Sequence, residues 1–364
     1  MTPRERVVTR FVSRGGFSGR TESIGGAPSL PSPAEIAALA SSLAEAASID
    51  RVAFGTIDTL GSADDIAGHL TDAVAEIRKS GVDATLSESQ QSALEAIVML
   101  SGRPALFVKR DTFALPDGDW ELLAPFRPSI SRSLQSVGRI GVSAKYGVPY
   151  AGTGFVVAPG LVMTNRHVVE NYVAGAGASW TLDPGAGMVI DFKQEFGVAD
   201  QLSFAVTGVE WVDNRDDVDL ALLRVESVTT AGGARMPLPA PLRLQQDGGY
   251  ANTGNNVYVV GYPAADPRRN DNEQMHRVFY GVYEKKRVAP GRVASIDTVH
   301  GLLTHDCSTL GGNSGSCVVD LSTNSVIGLH FAGDYLEENF AVLLPALSAD
   351  ARFASLNWQE GPGD

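Results

Sequence analysis

The spacing of apolar residues divides the chain into a helical front part and a strand-rich remainder. In the front part, apolar side chains recur every three or four positions, which is typical of amphipathic helices. Three helices are predicted, with start signals at Ser32, Ser62 and about Ser87. Gly81 and Gly102 end the second and third helices. Together they predict a small α-helical module.

The second predicted helix has a well-defined apolar face. Asp65 lies in its first turn, where unpaired backbone N–H groups favour a carboxylate. Its apolar residues follow helical spacing: Ile66, Leu70, Val74 and Ile77. We expect this face to be buried.

From about residue 137 the pattern changes to short apolar runs separated by Gly, Asn, Asp and Pro. Many short strands at such spacing indicate a β-sandwich or a β-barrel. The segment Thr229–Gly249 divides the runs into two sets, which fits two small barrels joined by a linker. The predicted strands are Gly138–Ala144, Gly154–Ala158, Leu161–Thr164, Met188–Phe192, Phe204–Val212, Leu220–Val225, Asn256–Gly261, Gly291–Thr298, Gly315–Asp320, Ser325–Phe331 and Phe340–Leu344.

Composition narrows the class of protein. The chain has 364 residues, which is the length of about two domains. Its net charge of −13 repels phosphate backbones, so nucleic acid is excluded as a general partner. Hydrophobic residues make up 44% of the chain, enough for a packed core, and two cysteines are too few for a disulfide scaffold.

The first thirty residues carry no recognisable targeting signal. Arginines at positions 4, 6, 10, 14 and 20 interrupt every apolar run, so no signal-peptide core is present. No stretch of the chain approaches the ~20 apolar residues of a membrane span. We therefore expect a cytoplasmic protein without membrane contact, with residues 1–30 as a flexible tail.

Three short segments of the β-region carry the candidate chemistry. His167 follows an apolar strand, Asp219 leads into another, and Ser314 lies in the glycine-rich run TLGGNSGS. A serine hydroxyl is a poor nucleophile unless an imidazole takes its proton and a carboxylate orients that imidazole. The three residues therefore predict a catalytic triad with Ser314 as nucleophile, His167 as base and Asp219 as orienting acid.

The glycine-rich run also supplies an oxyanion hole. Acyl transfer needs backbone N–H donors for the developing negative oxygen. We assign these donors to Gly312 and Ser314, because glycine at 312 permits the torsion that turns its N–H inward.

These motifs resemble the trypsin-like peptidases of the chymotrypsin fold, nearest to their glutamyl endopeptidase and HtrA-like branches. The runs GTGFVV, LVMTNRHVV, DVDLALLRV and TLGGNSGSCVVD carry the resemblance, which covers about residues 135–350 and keeps the order His, Asp, Ser. The resemblance implies a double β-barrel and a peptide or protein substrate. The implied fold class is mainly β, with a chymotrypsin-like protease domain over 136–358.

Two features set the chain apart from animal trypsins. The residue before the nucleophile is Asn313, which cannot form the ion pair that a new N-terminal amine makes with aspartate in activated trypsins. The run Arg139-Ile140-Gly141 looks like an activation site, but without that acid we interpret it as the first barrel strand.

The resemblance also locates a specificity pocket. Ser308 occupies its floor, so the aspartate that selects Lys or Arg is absent. Thr309 and His330 fall where glutamyl endopeptidases bind an acidic side chain, and Gly333 completes the predicted substrate-binding set. An acidic preference stays one of two interpretations, because His330 is equally compatible with a structural role and three acids lie nearby: Asp334, Glu337 and Glu338.

The two cysteines flank the nucleophile at positions 307 and 317. In a cytoplasmic protein we expect reduced thiols, with a redox switch as the alternative. His276, His300 and His305 lack the spacing of a ligand triplet. No metal and no cofactor are predicted.

The domains predicted from sequence are the tail, the helical module over 31–102, a connector over 103–135 and the protease domain. The leading hypothesis is a serine endopeptidase that the helical module regulates or recruits to a partner protein. The alternative is a sensor or interaction protein of a bacterial signalling or defence system, whose protease domain is active only when engaged. A catalytically inactive fold is disfavoured because every triad position is filled.

Overall fold

A computed structural model describes residues 62–80, 87, 89–90, 104–115, 118–148, 150–176, 179–213, 218–247, 251–264, 279, 282–333 and 339–360. Internal contacts divide the chain into two compact units. One contains the helix that precedes residue 104, together with 115–124. The other contains 105–114, 125–270 and 283–364, and holds every β-strand described below.

The described α-helices are α1 Ala63–Ser80, α2 Arg127–Leu134 and α3 Arg166–Val169. Short 3-10 helices cover Gly118–Phe126, Ala144–Tyr146, Glu170–Tyr172, Pro184–Ala186, Leu344–Leu347 and Ala351–Phe353. Over the described residues, no helix combines the length and the apolar character that crossing a bilayer requires.

Helix α1 confirms the second predicted helix. The Ser62 hydroxyl accepts the N–H of Asp65, and the Asp65 carboxylate accepts the N–H of Ser62, which is a reciprocal capping box. Ile66, Leu70 and Val74 are buried, as their spacing predicts. The side chain of Ile77 lies outside the described set.

The neighbouring helices are described only in part. Ser87 and Gln90 exchange side-chain-to-backbone hydrogen bonds of 2.8 and 3.2 Å, as the start of a helix requires. The helix predicted from Ser32 and most of the one predicted from Ser87 lie outside the described residues, as does the tail over 1–30.

The described strands are, in chain order, β1 Leu106–Lys109, β2 Thr112–Phe113, β3 Val137–Gly141, β4 Gly152–Ala158, β5 Leu161–Thr164, β6 Val173–Ala176, β7 Ser179–Leu182, β8 Val189–Asp191, β9 Ser203–Val212, β10 Ala221–Val225, β11 Val228–Ala231, β12 Ala234–Pro237, β13 Leu244–Gln245, β14 Asn256–Gly261, β15 Arg287–Asp297, β16 Leu302–His305, β17 Cys317–Asp320, β18 Val326–Gly333, β19 Asn339–Leu343 and β20 Trp358–Gln359.

Two closed barrels of six strands each form the β-region, which confirms the predicted mainly β double-barrel fold. The first follows the order β10-β5-β4-β3-β8-β9. The second follows β14-β17-β18-β19-β16-β15 and closes where β14 pairs with β15. Valine, isoleucine and leucine side chains fill both interiors, as β-branched residues on pleated strands favour.

The segment 103–135, predicted as a connector, contributes to the second barrel's sheet. β1 pairs antiparallel with β15, with Leu106 opposite Val288, and β2 pairs with β1. Arg287 of β15 is buried and donates from Nη1 to the Ala105 carbonyl at 2.8 Å. Helix α2, which the sequence analysis did not predict, buries Ile130 and Leu134. The four residues of β1 are enough to indicate a strand, but they do not indicate which strand it pairs with. Helix α2 has too few apolar residues to show helical periodicity.

The segment Thr229–Gly249, predicted as a linker, is not purely a linker. Strands β11 and β12 form a hairpin over its first part, and β13 lies further on. Gly232 and Gly233 form the two-residue turn with φ of 56° and 81°. Two central residues with positive φ match the twist of a hairpin. The Gly-Gly pair therefore indicates a hairpin turn, which the interpretation of this segment as an Ala-, Pro- and Gly-rich linker overlooked.

A buried ionic cluster joins segments of both barrels. The Lys286 ammonium, preceding β15, donates to the carbonyls of Leu134 and Phe192 at 2.7 and 2.6 Å. It lies 3.9 Å from the carboxylate of Glu195, whose pKa burial raises. Burial likewise lowers the pKa of Lys286 to about 8. A buried ammonium group needs hydrogen-bond acceptors in place of water, and here two backbone carbonyls and a carboxylate of the protein supply them.

Strand boundaries follow the predictions to different degrees. Leu161–Thr164 and Asn256–Gly261 are observed as predicted. β15 begins four residues before its predicted start, because a buried arginine at its head gives no apolar signal. Strand β16 was not predicted. Its four residues follow a turn, and no alternation of apolar and polar residues on either side marks them as a strand.

Candidate active site

Helix α3 places His167 at the open end of the first barrel. It begins directly after β5, with Asn165 in extended conformation at its N-cap position. Val168 and Val169 turn inward and anchor the helix, while the His167 side chain is 41% exposed. A reactive imidazole is thus held on a rigid strand end with one side open to solvent.

Asp219 holds His167 by two hydrogen bonds. Its Oδ2 lies 2.5 Å from His167 Nδ1, and its Oδ1 accepts the His167 backbone N–H at 3.1 Å. The Asn165 side chain donates to the Asp219 carbonyl at 2.8 Å and fixes the acid in turn. Because the carboxylate accepts at Nδ1, the imidazole carries its proton there and leaves Nε2 able to accept one.

The ionisation of Asp219 favours this arrangement. Burial by itself raises the pKa of this carboxyl, but the hydrogen bonds and the charge of His167 outweigh burial and lower it. The acid therefore stays negative at neutral pH, as an orienting group requires.

Ser314 lies in a tight turn with glycines at two positions that need them. Gly312 and Gly315 have φ of 86° and 88°, a conformation that L side chains rarely adopt. The Gly315 N–H donates to the carbonyl of His330 and the Ser316 N–H to that of Asn313. The first bond attaches the turn to β18, and the second closes the turn itself.

Glycine at position 152 brings the two predicted catalytic segments together. A Cβ at Gly152 would lie 2.8 Å from a methyl of Val168 and 2.9 Å from the Ser314 carbonyl oxygen. The residue next to His167 and the backbone of Ser314 therefore approach the same point of β4. A larger residue there would push the two segments apart.

Two backbone N–H groups at the turn are available as donors. Among the described residues, no group accepts a hydrogen bond from the N–H of Gly312 or of Ser314. An oxyanion hole requires such preorganised donors without a partner in the free protein.

The predicted specificity residues lie close to one another, with a partner that sequence reasoning missed. Thr309 donates its hydroxyl to Asn339 Oδ1 at 2.5 Å, and a Cβ at Gly333 would lie 2.3 Å from that oxygen. Asn339 in turn donates to the carbonyls of His305 and Cys307. Ser308 is half-buried in the same loop. The three nearby acids named above lie outside the described residues.

His330 is paired with a second buried histidine. His305 Nε2 of β16 lies 3.3 Å from His330 Nδ1 of β18, and β19 lies between these two strands in the second barrel. Burial, together with the charge of His167, lowers the pKa of His330 to about 3. His330 is therefore an uncharged imidazole at neutral pH. The sequence could not predict that His305 contacts His330, because no spacing rule connects residues on different strands of a sheet.

Asn313 and the apparent activation run both match their predicted roles. Asn313 is buried with its side chain near Gly261, and it carries no charge for an amine to pair with. Ile140 lies fully buried within β3, paired with Gly152 of β4. The run at residue 139 is thus the first barrel strand, as predicted.

Both cysteines are buried, and neither forms a disulfide. Burial raises the pKa of the Cys317 thiol to about 12, which keeps it protonated and unreactive. Among the described residues, no group of three His, Cys, Asp or Glu side chains is arranged to hold a metal ion.

Comparison with known proteins identifies the β-region. A model of the trypsin-like peptidase domain matches residues 152–329. Residues 152–329 belong to the trypsin-like peptidase family. This trypsin-like domain contains His167, Asp219 and Ser314, and both described barrels contribute to it.

The trypsin-like domain also resembles individual proteins. A glutamyl endopeptidase of Staphylococcus epidermidis is 29% identical over 184 residues, 50% of this chain and 54% of the relative. The chain thus spans about half the length of the curated relatives it matches. The Rv3671c protease of M. tuberculosis in its active form is 23% identical, with a TM-score of 0.42 and coverage of 69% of this chain and 91% of that one. The inactive form of that protease is 22% identical, with a TM-score of 0.40, and the match covers 67% of this chain and 98% of that one.

Gly315→Ala tests how tightly the turn is packed. A Cβ there would lie 2.0 Å from the Thr153 carbonyl oxygen, whereas Gly254, with φ of 87°, has nothing within 4 Å. Gly254→Ala therefore measures the torsional cost alone, about 1–2 kcal/mol. We expect Gly315→Ala to lower the free energy of unfolding by a further ~1–3 kcal/mol. Urea unfolding of both variants checks this, and equal losses would contradict it.

Proposed function

We propose that this chain is a serine endopeptidase that cleaves peptide bonds through His167, Asp219 and Ser314. The observation that carries the proposal is the hydrogen bond between Asp219 and His167 Nδ1, together with a serine turn whose two N–H donors are bonded to none of the described residues. Membership of residues 152–329 in the trypsin-like family supports it.

In the first half of the reaction, Ser314 Oγ attacks the carbonyl carbon of the scissile peptide while its proton passes to His167 Nε2. The resulting imidazolium is stabilised by the Asp219 carboxylate. The substrate oxygen becomes negative and accepts hydrogen bonds from the N–H groups of Gly312 and Ser314. The proton on Nε2 then passes to the leaving nitrogen, the carbon–nitrogen bond breaks, and an ester to Ser314 remains.

In the second half, water takes the place of the leaving amine. His167 accepts a proton from the water, whose oxygen attacks the ester carbon, and the same N–H groups hold the second oxyanion. His167 then returns the proton to Ser314 Oγ as the ester bond breaks. No metal or cofactor takes part in these steps.

Ser314→Ala and Asp219→Asn test the triad. A fluorophosphonate probe should label Ser314 in the wild type, and Ser314→Ala should lose both labelling and peptide cleavage. Asp219→Asn should lower kcat by about 10⁴, because an amide favours the wrong imidazole tautomer. Asp350→Asn, at a half-buried acid paired with Arg352, is the control. Cleavage by Ser314→Ala at the wild-type rate would refute the assignment.

We further propose that the pocket prefers an acidic side chain. We take His305 Nε2 as the donor in the histidine pair, so the uncharged His330 carries its proton on Nε2 and can donate it to a substrate. Thr309, Gly333 and Asn339 cluster nearby. A neutral hydrogen-bonding pocket rejects side chains that cannot accept. The name of the staphylococcal relative supports the same preference.

A peptide series that differs only in the residue before the cleaved bond tests the pocket. We expect kcat/KM for Glu to exceed that for Lys or Leu by roughly 10²-fold or more. His330→Leu should abolish this ratio, whereas His300→Leu, at a histidine whose side chain is 69% exposed, should keep it. Equal cleavage after Lys and Glu by the wild type would contradict the proposal.

The front part of the chain is proposed to regulate the protease or to recruit it to a partner. Helix α1 buries its apolar face in a compact unit separate from the barrels, which supports an independent role. The alternative is a sensor whose protease domain is active only when engaged. It also requires the front part of the chain to control the protease.

Comparing the full chain with residues 104–364 tests this role. The shorter chain keeps β1, which the second barrel's sheet uses. A regulatory coupling of typical size should change kcat/KM by about 5- to 150-fold. Equal values, with equal amounts of probe-reactive Ser314, would contradict regulation in the isolated protein.

A further inference from the structure

Thr153 of β4 makes four hydrogen bonds around the turn that carries Ser314. Its backbone N–H donates to the Ser314 carbonyl at 2.9 Å, and its hydroxyl donates to the Gly312 carbonyl at 2.8 Å. The same hydroxyl oxygen accepts the N–H of Tyr262 at 3.3 Å. Its carbonyl accepts the Thr164 hydroxyl at 2.7 Å. Thr153 is fully buried, so water does not compete for these bonds.

The hydroxyl of Thr153 acts on the peptide unit between the two oxyanion donors. That unit joins Gly312 to Asn313, and its N–H donates to the Leu310 carbonyl at 3.1 Å. Thr153 holds its other end through the carbonyl oxygen. The N–H groups of Gly312 and Ser314 belong to the peptide units immediately before and after it. The torsions on either side of this central unit set the angle between the two donors, so loosening its anchors would let the donors change their relative orientation.

Glycine makes such a rotation easy, and the surroundings oppose it. Gly312 has no side chain to restrict its torsions. A Cβ there would lie 2.3 Å from the Tyr150 hydroxyl and 2.5 Å from the Tyr262 carbonyl, so those groups pack against its α-carbon. The Ala264 N–H holds the preceding carbonyl, that of Gly311, at 2.5 Å. Of the residues that the structure describes, Thr153 is the one that bonds to this peptide through its side chain, and a substitution can remove that bond without changing the backbone.

We propose that Thr153 is a positioning residue for the oxyanion hole, whose hydroxyl fixes the Gly312–Asn313 peptide so that both flanking N–H groups face the reacting carbonyl. The proposal rests on the proposed endopeptidase activity. Because the oxyanion exists only in the transition state, loss of this hydroxyl acts on kcat and leaves KM nearly unchanged.

Thr153→Val and Thr153→Ser separate the hydroxyl from the methyl group. Valine keeps the shape and loses the hydroxyl, so we expect kcat to fall roughly 10- to 100-fold, less than the ~10²–10³-fold for losing a donor outright. Serine keeps the hydroxyl and should restore kcat. A role in packing alone predicts the opposite order, with valine active and serine impaired.

Thr323→Val is the matched control. Thr323 is also buried, and its hydroxyl also donates once, to Asp320, and accepts once, from the Ser325 N–H. Rates are expressed per probe-reactive Ser314, so a loss of folded protein is not counted as a loss of kcat. Normal kcat in Thr153→Val, or a fall equal to that of Thr323→Val, would overturn the proposal.

Hydrogen–deuterium exchange gives a readout that does not depend on activity. In a Ser314→Ala background, Thr153→Val should speed exchange over residues 310–315 by about tenfold, while Thr323→Val should leave that segment unchanged. Unchanged exchange in Thr153→Val overturns the positioning role, even if the wild type cleaves peptides. If Thr153→Val speeds exchange but the wild type does not react with the probe, the positioning role is supported and the proposed function is rejected.

Discussion

The carbonyl groups of Gly312 and Ser314 both accept hydrogen bonds from one buried residue of the first barrel, Thr153. A partly buried carbonyl without a donor is costly, so these hydrogen bonds from β4 stabilise the turn that carries Ser314. Glycine at position 152 permits the approach, since a side chain there would meet Val168 and Ser314. The placement of the serine, its neighbouring amides and His167 all depend on this contact.

A second set of contacts between the barrels is ionic. The charge of Lys286 is expensive to bury, and two carbonyls and the Glu195 carboxylate compensate it. Such a pair adds little net stability compared with apolar residues, but loss of one member leaves the other charged and unpaired. Asp111, from the segment before the first barrel, donates its N–H to Glu195, so three parts of the domain share one cluster. The cluster is stable only in a fixed geometry, and this rigidity suits an active site whose residues have to keep their positions.

The sequence allowed a prediction of the chemistry because the residues proposed to react lie in local patterns. His167 and Asp219 each adjoin an apolar strand, and Ser314 is enclosed by glycines. Their supporting partners come from across the sheet, as His305 does for His330, and no spacing rule connects them. The strand partner of β1 was hidden for the same reason. The domain boundaries, the cytoplasmic location and the role of residues 31–102 stay predictions.

The pairing of β1 with β15 also bears on how the chain folds. Ala105 and Arg287, joined by a hydrogen bond, are 182 residues apart, and closing so long a loop costs entropy before any contact repays it. During synthesis, β1 emerges long before its partner and has to wait for the whole first barrel and strand β14 of the second. An exposed strand edge invites association with other chains during that time. The order of translation thus makes β1 the part of the domain most dependent on protection while the chain is being made.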